Sequence, residues 1–100
     1  MLQTEERLEA ARTEIDSATA RSEDIEARLT SLADERSRAT TPDRRAQLED
    51  AIGNFQAERD AAARELQQAR SRENELSRTL QAENTRWNEL ISRLEDLAGR

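Results

Sequence analysis

The sequence has no cysteine, no histidine and no lysine, and it has one proline, two glycines and only two aromatic side chains. Each absence removes a class of chemistry. Without cysteine there is no disulfide, no thiolate nucleophile and no redox clue to the compartment. Without histidine or cysteine, Ser-His-Asp and Cys-His arrangements and the usual zinc and haem sites are excluded. Without lysine there is no Schiff base and no phosphate-loop lysine, and no glycine-rich loop is present. Only carboxylates remain for acid–base or metal chemistry. Glu5, Glu6 and Glu9 form one cluster, and Glu23, Asp24 and Glu26 another. Hard cations want six to eight oxygens from a looped cage, which side chains on a convex helix face do not provide. These clusters read as solvated surface. The expectation is a protein that is not an enzyme and takes no cofactor or metal.

What is present is charge. Charged residues make up 38% of the 100 residues and apolar ones 34%, below the apolar share of ordinary globular domains. The length allows one domain at most. With one Phe and one Trp, no broad core can form. All sixteen basic residues are arginine, and the net charge is −6. Ten acids stand against six arginines up to Pro42, and twelve against ten after it. No basic stripe emerges, so nucleic-acid binding is not expected. The opening Met1-Leu2-Gln3-Thr4-Glu5 lacks the apolar run of a secretory leader, and no stretch approaches a membrane span. A cytoplasmic protein without membrane contact is the expectation.

Apolar residues recur every three and four positions. In the first segment, a positions fall at Met1, Leu8, Ile15, Ser22, Leu29 and Arg36, and d positions at Thr4, Ala11, Ala18, Ile25, Leu32 and Ala39. In the second, a positions are Arg45, Ile52, Arg59, Leu66, Glu73, Leu80, Trp87 and Leu94, and d positions are Leu48, Phe55, Ala62, Ala69, Leu76, Glu83, Leu90 and Leu97. An unbroken seven-residue repeat with a narrow stripe is the pattern of a two-stranded, left-handed coiled coil. At ~1.5 Å per residue the helices span roughly 55 and 85 Å. Gly53 falls at a solvent-facing b position, and Gly99 is available for a left-handed C-terminal cap.

Pro42 divides the two repeats. Thr41 can cap the second helix, Pro42 suits a first helical position, and Asp43 favours the positive end of the helix dipole. Proline also disfavours helix at the residue before it, so the first helix should stop near Ala39. The spacing predicts helix over 1–39, a turn at 40–42 and helix over 43–84, with an overhang at 85–100. Folding at Pro42 sets a layers against d layers. Leu32 then meets Ile52, Leu29 meets Phe55, Ala18 meets Leu66, Ile15 meets Ala69 and Leu8 meets Leu76. Ile25, Leu48 and Leu80 complete the large apolar seam. At the flanks Arg28 faces Glu58, Arg21 faces Glu65 and Glu14 faces Arg72, while Arg12 and Arg70 face each other with like charge. Polar seam residues Arg59, Glu73 and Glu83 read as register control. Arg59 should sit opposite Ile25 with its charge poorly matched.

The fold expected is therefore all-α, an antiparallel two-helix coiled-coil hairpin with a C-terminal helical extension, dimeric through that extension. Trp87, Leu90, Ile91, Leu94 and Leu97 form the richest apolar stripe in the chain, and the mirror leaves nothing opposite them. An apolar stripe of this kind seeks cover. The function expected is that of a non-enzymatic structural or interaction protein that self-associates through this helix, a homodimer first of all. The alternative is an adaptor whose C-terminal helix docks onto a helix of a different protein.

Overall fold

The structure is a computed structural model, and it describes residues 2–99. Met1 and Arg100, the outer ends of the two expected segments, lie outside the described residues. Two helices account for nearly all of the rest. Helix α1 runs Leu2–Arg38 and helix α2 runs Pro42–Ala98, 37 and 57 residues respectively. They pack antiparallel as one hairpin of 88 × 15 × 14 Å. The long dimension is the length of α2 at ~1.5 Å per residue.

The turn is built by the residues around the proline. Thr41 is extended at φ −111° and ψ 145°, and its hydroxyl accepts the Arg44 N–H at 3.3 Å. Pro42 opens α2, where its missing N–H goes unnoticed because first-turn donors have no partner inside the helix. Helix α2 thus begins one residue earlier than the spacing predicts, and α1 ends one residue earlier, at Arg38. Ala39 has left the helix, but its N–H still closes a tight turn on the Arg36 carbonyl at 3.2 Å. Arg45, assigned to the seam by the heptads, is exposed instead. Its guanidinium donates to the Ala39 carbonyl at 3.2 Å, satisfying one of the acceptors that the end of α1 leaves orphaned. Arg36 is also exposed. The two arginines keep the turn end of the seam open to water.

Apart from Arg36 and Arg45, all a and d positions from Thr4 to Glu83 are buried or half-buried. Leu8, Ala11, Ala18, Ile25, Leu48, Ile52, Ala62 and Ala69 are buried. Ile15, Leu29, Leu32, Phe55, Leu66, Leu76 and Leu80 are half-buried, as are the polar Ser22, Arg59, Glu73 and Glu83. The deepest residues are the alanines Ala62 and Ala69, at 0% and 1% exposure. A methyl hardly extends beyond the backbone, so a facing helix covers it whole, whereas most of the seam's leucines stay half-buried. Thr19 and Ala51, both short, join the half-buried set from the flanks. No polar residue among the described residues is fully buried.

The flanking charges follow the mirror in part. Arg21 pairs with Glu65, and Arg72 with Glu14 at 2.6 Å. Arg28 does not reach Glu58. It pairs with Asp24 one turn back at 3.5 Å and lies over the Phe55 ring, 5.6 Å from its centre. The half-exposed ring offers the guanidinium an apolar face on which to lie, and Asp24 is the nearer acid. Arg12, which the mirror sets beside Arg70, pairs with Glu73 at 3.7 Å. Arg59 is better matched than the heptads imply, with Asp60 at 3.4 Å and Glu26 at 4.0 Å. Its stem crosses the seam while its head stays in solvent. Gly99 forms no left-handed cap. It stays right-handed at φ −77° and ψ −7°, and its N–H donates to the Glu95 carbonyl at 3.0 Å. The backbone continues the helical turn there, so no reversal calls on glycine's freedom.

Candidate functional site

At the open end of the hairpin, the Thr4 hydroxyl donates to the Glu83 carboxylate at 2.8 Å. This bond favours the ionised acid and draws the Glu83 pKa below the usual carboxylate range. Past this level α1 no longer covers α2, and every described residue from 84 onward is exposed.

The heptad register does not change there. Trp87, Leu90, Ile91, Leu94 and Leu97 continue the face that α1 covers lower down, at 53%, 46%, 36%, 64% and 65% exposure. Leu8 and Leu48, in equivalent positions within the hairpin, are at 6% and 3%. The difference between the two sets is the presence of a facing helix. From Trp87 to Leu97 the stripe is roughly 15 Å long. Leu2, at 71% exposure, adds an apolar side chain at the same end. The repeat does not reveal it, because it falls at a b position, outside the pattern that identifies the others.

Charge frames the stripe unevenly. Arg86 and Arg93 hold the g positions beside it, and Glu89 and Asp96 lie one step further round the helix. Glu89 precedes Arg93 by four residues, the spacing at which opposite charges on one helix support each other. Elsewhere, among the described residues, shallow grooves run along the seam. One is bordered by the Arg21–Glu65 and Glu14–Arg72 ion pairs. The carboxylates at Glu5, Glu6 and Glu9 and at Glu23, Asp24 and Glu26 are all exposed. Among the described residues no three potential metal ligands converge, and no helix is long and apolar enough to cross a membrane. No protein-family model matches the chain, and no curated protein and no solved structure matches it significantly.

Proposed function

We propose that the chain is a non-enzymatic coiled-coil structural protein that self-associates through residues 85–98, and that it works in the cytoplasm. One observation carries this reading: the apolar face of α2 runs on, in unbroken register, for four further seam positions with no helix of the chain against it. A tryptophan and three leucines on such a face are the side chains that gain most from being covered. The test is solution mass by light scattering across a concentration series. The wild type should be a dimer at micromolar concentration. Trp87→Ala combined with Leu94→Ala should give a monomer, because each truncation removes a large side chain from the contact. The same number of alanine changes at exposed b or f positions should leave the dimer intact. A wild type that stays monomeric at high micromolar concentration would sink the proposal.

A second reading is favoured by the basic flank. Arg86 and Arg93 line the same edge of the stripe, and a helix of another protein with acids along its facing edge would complement them. In that case the protein is an adaptor, monomeric alone and captured by an acidic amphipathic helix.

A further inference from the structure

Building on the self-association reading, we infer that the second copy lies antiparallel on the stripe, tip against tip, forming a closed end-to-end dimer rather than a side-by-side bundle. Three features of the hairpin select this arrangement. The first is room. Helix α1 occupies the seam face of α2 as far as the Thr4–Glu83 bond. In a parallel pairing through the stripes, both α1 helices would compete for the slot between the two α2 helices, and packed helices stand only about 8–10 Å apart. In an antiparallel pairing each α1 lies beyond the overlap. Each stripe then takes the place on the other copy that α1 takes lower down.

The second is register. Antiparallel pairing sets a layers against d layers, as in the hairpin itself. Trp87 faces Leu97 of the second copy, and Leu90 faces its Leu94. The same layers recur in reverse order across the two-fold axis, and Ile91 lies beside its own counterpart. All five apolar side chains of the stripe are used, and the contact is isologous, so it closes at two copies. The third is area. At their observed exposures the five side chains present roughly 500 Å² per copy and about 1,000 Å² for the pair, the lower end of a specific interface. Side-by-side packing would instead set the hairpins' charged outer faces together and leave these side chains partly wet.

The register also brings Arg93 near Arg93 of the second copy. Glu89, four residues before it, offsets part of that charge. The rest leaves a mark that only this arrangement produces.

Three measurements on the full chain test it. Small-angle scattering should give a longest dimension of roughly 150 Å, two α2 lengths less the shared tip, against the 88 Å of one copy. Ile91→Cys should cross-link between copies with a short bis-maleimide, whereas Glu35→Cys near the turn should not. Mixing the wild type with Arg93→Glu should give mostly the mixed dimer, above the statistical half. A dimer of about 90 Å, or one that cross-links at residue 35 and not at 91, overturns this arrangement and leaves self-association standing. A monomeric wild type overturns both. A random mixture with Arg93→Glu places Arg93 away from the axis and overturns the register.

Discussion

At Gly53 an added methyl would meet nothing within 4 Å. The residue sits in the interior of α2 on its exposed side, where glycine is costly because it loses most backbone freedom on folding. Gly53→Ala should therefore stabilise the hairpin by up to about 1 kcal/mol, read as a rise in the thermal midpoint. An unchanged or lower midpoint would show that α2 bends there in solution. Arg59 is a different case. Its side chain keeps 42% exposure and touches Asp60 and Glu26 at the rim, contacts worth about 0–1 kcal/mol at such exposure. The mirror sets it opposite Ile25, which is 4% exposed. Arg59→Leu should raise stability by roughly 1 kcal/mol or less, since half-burying a leucine outweighs the rim pairs. A clear fall in the midpoint would mean that the carboxylates hold Arg59 more tightly than their distances suggest.

Between the helices, the ion pairs Arg21–Glu65 and Glu14–Arg72 join opposite edges at matching levels. Such pairs choose alignment more than they add stability. Arg72→Glu should lower the midpoint by the equivalent of about 0.5–1 kcal/mol, and adding Glu14→Arg should restore it. A double variant as unstable as the single one would show that the two side chains do not meet in solution. These two pairs were legible in the sequence because heptad position and the fold-back at Pro42 together fix which g residues come level. The turn was legible too, because proline and a capping threonine act locally. The partners of Arg28, Arg12 and Arg59 were not. A long arginine reaches several carboxylates whose attractions differ by less than thermal energy in water, and here an aromatic ring or a nearer acid decides. Arg45 escaped for a related reason: a heptad label says which way a residue points, not that an orphaned carbonyl at the end of the neighbouring helix will claim its head. The apolar stripe was legible as a pattern, and its lack of cover followed from helix lengths alone.

The whole molecule is a rod whose layers each rest on their neighbours, without a central core to share load. Stability should therefore vary along it. Amide hydrogen exchange at low micromolar concentration should be slowest in the stretch around Ile25 and Ala62, which are 4% and 0% exposed. It should be fastest in α2 beyond Glu83, where helical hydrogen bonds have no packing to support them. Raising the concentration should protect that last stretch first. Uniform protection along α2 at high dilution would show that the tip is stable unaided. The tip also carries its own optical reporter. Trp87 is the one tryptophan, and the chain has no tyrosine, so all of its near-ultraviolet fluorescence beyond the faint signal of Phe55 comes from a single indole on the uncovered stripe. Water around that ring gives red-shifted emission, and a covering helix turns it blue. The colour of the unmodified protein's own light thus reads out whether the stripe is occupied, without label or mutation, whichever partner covers it.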